Sequence, residues 1–322
     1  MPKATALTLP PRPALPTLAN LPEGRAGHYA EAGLTGSVNT QKAYASDFRQ
    51  FTAFCASQAT DPVPAAPATV AAYLAHLADA GRKYATIQRH LASISKVHQL
   101  AGHPSPASPT VTTVLEGIAR LNSKRQKQAP AFTVEDLRTY LRGLDLTKPA
   151  GLRLRALLLL GFTGAFRRSE LSALNIEDLV FTAKSLKLRL HHSKTNQFGE
   201  VEEKAVFYSP QPLFCPVRAV QEWLAMLAPR TNGPLFVRLT RAGKLRPTRL
   251  SDHRMNVLVQ EAFGPDFTAH SLRASFITQA VRNGQSNKAI KNQTKQKTDA
   301  MIERYARLND VEEFNAAQHL GI

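Results

Sequence analysis

Residues 268–284 read TAHSLRASFITQAVRNG, a stretch with helical patterning over 270–281. His270 and Arg273 lie about one turn apart in it, so an imidazole and a guanidinium can face one ligand. An HxxR pair is common by chance, and its weight comes from the strings that stand in order around it. Upstream, TGAFRRSELSALNIEDL (163–179) places Arg167 just after Gly164 and Ala165, at the opening of a helical stretch over 167–174. Between the two, HHSKTNQFGE (191–200) puts Lys194 in a turn that joins strand-like runs at 186–191 and 201–208. Downstream, NQTKQKTDAMIERYARLND (292–310) carries Tyr305 on a helical stretch over 298–307.

Around these strings the pattern stays mostly helical, with stretches at 134–143, 151–163, 214–227 and 251–262 and a further strand-like run at 178–182. Residues 132–309 therefore read as a mainly α domain with a small antiparallel sheet, and Trp223 reads as core. The preceding segment NSKRQKQAPA (122–131) is polar, basic and proline-punctuated, the composition of a linker. Before it, Tyr44, Phe48, Phe51 and Phe54 form one apolar stripe. Val70, Tyr73, Leu74 and Leu77 form a second, Ile87, Leu91, Ile94 and Val97 a third, and Val111, Val114, Leu115, Ile118 and Leu121 a fourth. Four such helices over 37–121 without strand signals predict a small bundle. Residues 1–36, rich in Pro, Ala, Leu and Gly, read as a disordered tail.

The chain of 322 residues carries 41 Lys and Arg against 24 Asp and Glu, a net charge of +17. Residues 1–128 contribute +7 and the remainder +10, so both parts are basic. Such an imbalance points to a polyanionic partner, and a double-stranded nucleic acid embraced by two basic domains fits it. Cys55 and Cys215 have no paired spacing, which excludes a disulfide framework or zinc module and suits a reducing cytoplasm. Neither a signal peptide nor an 18-residue apolar run is visible, so no membrane is expected. No cluster has metal-ligand spacing and no acidic triad suggests Mg²⁺, so the chemistry is expected to need neither metal nor cofactor.

Arginine suits phosphate chemistry because its planar fork binds phosphate bidentately and keeps its charge. Arg167 and Arg273 are thus candidates for a clamp on a phosphodiester. Arg168, the neighbour of Arg167, points elsewhere on a helix and takes a solvent or backbone role, and Glu170 follows Arg167 on the same face, where an intrahelical ion pair is one reading. His191 and His192 read as strand-end residues, and Lys187 sits within a strand.

These strings closely resemble the signature boxes of the tyrosine recombinase (phage integrase) family. SVNTQKAYASDFRQFTAFC (37–55) resembles that family's helical, SAM-like core-binding domain, so the likeness spans about 37–310. It implies a site-specific recombinase that cleaves and rejoins DNA through a 3′-phosphotyrosine. Tyr305 would be the nucleophile, Lys194 the acid for the departing 5′ oxygen, His270 the manager of the tyrosine proton and Glu170 an orienting group. Gln296 stands where the family usually has His or Trp, nine residues before the nucleophile. Its amide can donate to a phosphate oxygen but cannot shuttle protons.

With no room for a large extra N-terminal domain, the likeness is to the simple Cre or Xer type. It further implies inverted half-sites in the DNA and a tetramer on two duplexes. Residues 310–322, with Val311, Phe314, Ala317 and Leu320 at helical spacing, would form a terminal helix exchanged between protomers. The sequence leaves open whether accessory proteins take part. Expected DNA contacts are Arg82, Lys83 and Arg89 in the first domain. In the second they are the basic run Arg241, Lys244, Arg246 and Arg249, with His253, Arg254 and Asn256 at the following helix start. Two rival readings stand beside this one: a type IB topoisomerase-like strand transferase, and a catalytically silent DNA-binding regulator on the same fold.

Overall fold

The computed structural model describes residues 38–122, 129–191, 202–306 and 317. The chain divides into two compact units at 126/127. Parts of the expected tail, linker, Lys194 turn and terminal helix lie outside the described residues.

The N-terminal unit is built from α1 (Val38–Ser57), α2 (Pro67–Asp79), α3 (Tyr84–Leu100) and α4 (Pro109–Leu121). Proline opens α2 and α4, where its missing N–H costs nothing. The stripes read from the sequence supply the packing faces, with Phe51, Tyr73, Leu74, Ile87, Ile94 and Val111 buried together, except that Leu121 at the end of α4 is exposed, where the helix runs past its neighbours. The Tyr73 ring meets Phe51 at 5.1 Å and Phe54 at 5.2 Å between centroids.

Polar groups in this core are paired. Buried Asp47 takes two hydrogen bonds from Arg89, at 2.7 and 2.9 Å, and His90 Nε2 lies 3.3 Å from its other face. With Nε2 donating to the carboxylate, His90 Nδ1 accepts from the Tyr73 hydroxyl at 3.0 Å. His98 Nε2 accepts from the Ala65 N–H and its Nδ1 donates to the Ile94 carbonyl, both at 2.8 Å. Both imidazoles are thereby held neutral.

The second unit has α5 (Val134–Arg142), α6 (Pro149–Thr163), α7 (Arg168–Ala173), strands β1 (Leu179–Phe181), β2 (Ser185–Leu190) and β3 (Glu202–Phe207), then α8 (Pro216–Leu227). The hairpin β4 (Val237–Leu239) and β5 (Leu245–Arg249) follows, then α9 (Asp252–Phe263), α10 (Ala269–Arg282), α11 (Asn287–Thr294) and α12 (Asp299–Ala306). Helix α6 runs through the core with Ala156 to Leu160 buried. Trp223 of α8 is buried against it and donates Nε1 to the Leu235 carbonyl at 2.8 Å.

Strands β1, β2 and β3 form an antiparallel sheet in that order. In β2 Leu186, Leu188 and Leu190 face inward while Lys187 and Arg189 face out. The same alternation turns Lys204 and Val206 of β3 inward. Two elements depart from the sequence reading. The basic run 241–249 belongs to a hairpin, and α11 precedes α12. Strand β5 is largely exposed, so it carries no alternation of apolar residues from which to read it.

Candidate active site

The centre of the site is the turn that ends α6. Gly164 has no space for a side chain: a Cβ there would lie 2.1 Å from a Phe166 ring carbon and 2.8 Å from the Leu160 carbonyl oxygen. Ala165 is buried with φ 46°, a left-handed conformation that a non-glycine residue adopts at a cost. The turn aims the carbonyls of Gly164 and Ala165 at two cations. Arg273 of α10 donates to the Ala165 oxygen at 2.7 Å. Lys204 of β3 donates to Gly164 at 3.0 Å and Ala165 at 3.1 Å.

Arg167 is the residue on which α7 starts. Its backbone N–H donates to Glu170 Oε2 at 3.0 Å, and its guanidinium bonds Glu170 Oε1. Lys204 Nζ reaches the same carboxylate at 3.4 Å. The ion-pair and orienting readings of Glu170 thus describe one geometry: the carboxylate both pairs with Arg167 and fixes its place. Burial pushes Glu170 up, but Lys204, Arg167 and the hydrogen bonds outweigh it and hold the carboxyl below its usual range.

His270 enters on the first turn of α10, whose N-cap Thr268 accepts from the His270 N–H. Burial lowers its pKa, and Arg273, Arg167 and Arg168 lower it further. The imidazole is therefore neutral near pH 7 and able to accept a proton. Gln296 is buried just after α11, with Oε1 accepting from the Thr294 hydroxyl at 3.2 Å. Tyr305 lies on α12, and its side chain, like the whole of Lys194, is outside the described residues. Arg168 is exposed and pairs with Asp252 at 3.0 Å. His191 follows β2 and meets Asp178 at 2.8 Å. Among the described residues no group of His, Cys, Asp or Glu is placed to hold a metal ion, and no helix is long and apolar enough to cross a membrane.

The expected DNA contacts divide by their partners. Arg82, Lys83, Arg241, Lys244, Arg246 and His253 are exposed. Arg89 and Arg249 have partners within the protein. Arg89 is committed to Asp47, and Arg249 donates to the carbonyls of Ser172 and Leu174 and to Asn175 Oδ1. Arg254 pairs with Glu261 at 2.9 Å, and Asn256 Oδ1 caps the start of α10 through the Ala269 N–H at 3.0 Å. The residue that the sequence reading missed is Lys204. Its signal was its parity with Val206 in β3.

The chain is similar to known proteins along most of its length. Residues 130–312 match the model of the phage integrase family, and residues 34–103 match its N-terminal SAM-like domain. The chain is 35% identical over 292 residues to an integrase/recombinase xerD homolog of Selenomonas ruminantium, covering 88% of this chain and 85% of that protein. It is 27% identical to recombinase cre of Escherichia phage P1, over 67% of this chain and 63% of that one. XerH site-specific recombinase bound to its difH substrate in a post-cleavage complex superposes with TM-score 0.62 at 17% identity, over 87% of this chain and 79% of the other. A lambda integrase dimer bound to a core site superposes at 0.56 and 16%, over 87% and 93%. These two likenesses speak to the fold. Matched across both of its units, the chain belongs to the phage integrase family and is a tyrosine site-specific recombinase, which cleaves and rejoins DNA through a covalent 3′-phosphotyrosine.

Proposed function

We propose that Tyr305 is the nucleophile and that Arg167 and Arg273 clamp the scissile phosphate. The observation that carries this reading is the gathering of two arginines, from the start of α7 and from α10, at the turn 164–165, with one carboxylate between several cations. In this scheme the Tyr305 oxygen attacks phosphorus as its proton passes toward neutral His270. The guanidiniums take up the charge that develops on the non-bridging oxygens. The bond to the 5′ oxygen breaks, and Lys194 supplies the proton that this oxygen needs. Gln296 adds a neutral donor, and Glu170 holds Arg167 in place. A phosphotyrosine keeps the energy of the broken bond, so a partner strand's 5′ hydroxyl reverses the step without ATP.

On the larger scale, the core-binding domain (37–121) and the catalytic domain (132–309), joined by 122–131, each meet the duplex. The sites carry inverted half-sites, four protomers hold two duplexes, and residues 310–322 pass between protomers. The basic charge of both halves and the lack of paired cysteines support action on DNA in the cytoplasm. A suicide substrate, in which the cleaved 5′ fragment diffuses away, tests the assignment. Tyr305→Phe should bind the site within a few fold of wild type and give no adduct that survives denaturation. An adduct from that variant would place the nucleophile elsewhere.

A further inference from the structure

We infer that Lys204 is a positioning residue for strand cleavage: its buried ammonium ties the turn 164–165 to Glu170 and so holds Arg167 and Arg273 at one phosphate. The inference rests on the reading of those two arginines as the clamp.

The geometry is that of a three-way tie. An ammonium has three N–H donors, and Lys204 Nζ has three acceptors in reach, the carbonyls of Gly164 and Ala165 and Glu170 Oε2. The nitrogen also lies 4.5 Å from the centroid of the Phe166 ring. Two of the three acceptors are shared with the clamp. The Ala165 oxygen also takes Arg273, and the Glu170 carboxylate also takes Arg167. Lys204 is therefore one bond away from each arginine, and it arrives from a different element, β3.

A lysine with its side chain wholly buried is uncommon, because desolvating the ammonium is costly. Burial pulls its pKa down, Glu170 opposes this, and Arg273 and Arg167 add to it, leaving it at about 7. These are the charged groups that face it: Glu170 and Arg167 at α7 and Arg273 on α10. Above neutrality the amine keeps two donors for three acceptors, and the turn loses one of its ties. Lys204 donates structure and not a proton, because its three hydrogens are already spent inside the protein.

The test pairs Lys204→Met and Lys204→Arg with a substrate carrying sulfur in place of the scissile 5′ oxygen, on which a thiolate leaves without an acid. Lys204→Met should bind the half-site within about threefold and slow covalent-complex formation by about 10²-fold, the scale of a lost preorganised group. The loss should persist on the sulfur substrate, and Lys204→Arg, which restores charge and donors, should recover much of it. A Met variant that cleaves at the wild-type rate overturns the proposal, as does rescue by sulfur, which would make Lys204 the acid. If Lys204→Met fails to fold, the pH profile of Lys204→Arg decides. Wild-type cleavage of the sulfur substrate should decline above pH about 7, whereas the guanidinium variant should be flat there, and parallel profiles refute the idea. Arg273→Ala is the control: wild-type cleavage by that variant would mean that the clamp reading fails, independently of Lys204.

Discussion

Both units bury charged side chains, and they do so by opposite rules. In the N-terminal unit Asp47 is matched by Arg89, and the neighbouring His90 and His98 are held neutral. The charges balance. At the turn 164–165 of the second unit Glu170, the one carboxylate there among the described residues, meets Arg167 and Lys204, and Arg273 joins Lys204 on the Ala165 carbonyl. Among the described residues three basic groups gather around one carboxylate, and Lys204, Arg273 and Glu170 are each almost wholly buried. Basic groups gathered in excess over acidic ones raise the local affinity for an anion such as a phosphate. A balanced cluster holds a fold together, whereas an unbalanced one is built around a ligand.

The sharpest way to break this comparison is to remove one cation from each cluster. Arg273→Ala should cut the rate of covalent-complex formation by about 10²–10³-fold, as when a preorganised donor to developing charge is lost. Sulfur at the scissile 5′ position should not restore it. Lys194→Ala should lose a comparable rate but recover on the sulfur substrate. If both variants respond alike, charge stabilisation and proton donation are not separate jobs here.

Arg89→Ala is the counterpart in the balanced cluster. It should cost about 1–3 kcal/mol of stability in the N-terminal unit, because it strands a buried carboxylate. Cleavage by the folded fraction should be preserved. Loss of cleavage without loss of amide protection in α1 and α3 would assign Arg89 to DNA instead.

The balanced cluster should also respond to acid. Burial holds His98 below its ordinary value of 6.5. The unfolded chain therefore binds a proton that the folded one refuses as pH falls through about 6.5, so stability rises with pH in that window and is lost below it. Protection of the α2 and α3 amides, corrected for intrinsic exchange, should fall as pH drops from about 7 to about 5.5. Unchanged protection would mean that His98 is not held neutral.

What could be read in advance follows from the range of the interactions. The stripe Phe48, Phe51 and Phe54 is local, and its helical period names the packing face directly. The alternation in β2 is equally local. The order of the boxes around Arg167, Lys194, His270, Arg273 and Tyr305 carried the chemistry by resemblance. The partners of Arg89 and Lys204 were not legible. Asp47 lies 42 positions from Arg89, and Lys204 reaches Gly164 across 40. A lysine between two glutamates and an alanine reads as a solvated residue, and only the inward turn of β3 reverses that. The left-handed backbone at Ala165 carries no sequence mark either, because the residue is not glycine. Short, exposed β4 and β5 lack the apolar pattern on which any reading depends.

The smallest expected effect separates cations that have protein partners from those exposed to solvent. Arg241, Lys244 and Arg246 are exposed on and beside β5, whereas Arg249 at its end is tied to Ser172, Leu174 and Asn175. Each phosphate contact contributes about −0.9 to the slope of log K against log salt. If all three exposed residues meet phosphates, replacing them with alanine should make the slope shallower by about 2.7, equally on specific and nonspecific DNA. Arg249→Ala should leave the slope within about half a unit. Its cost should appear as stability, about 1–2 kcal/mol, because carbonyls at the end of α7 lose their donor. That helix begins at the clamp, so the Arg249 variant should also lower the cleavage rate at saturating DNA. A slope change from Arg249 as large as that from Arg246 would put the end of β5 on the duplex and remove it from the scaffold of the site.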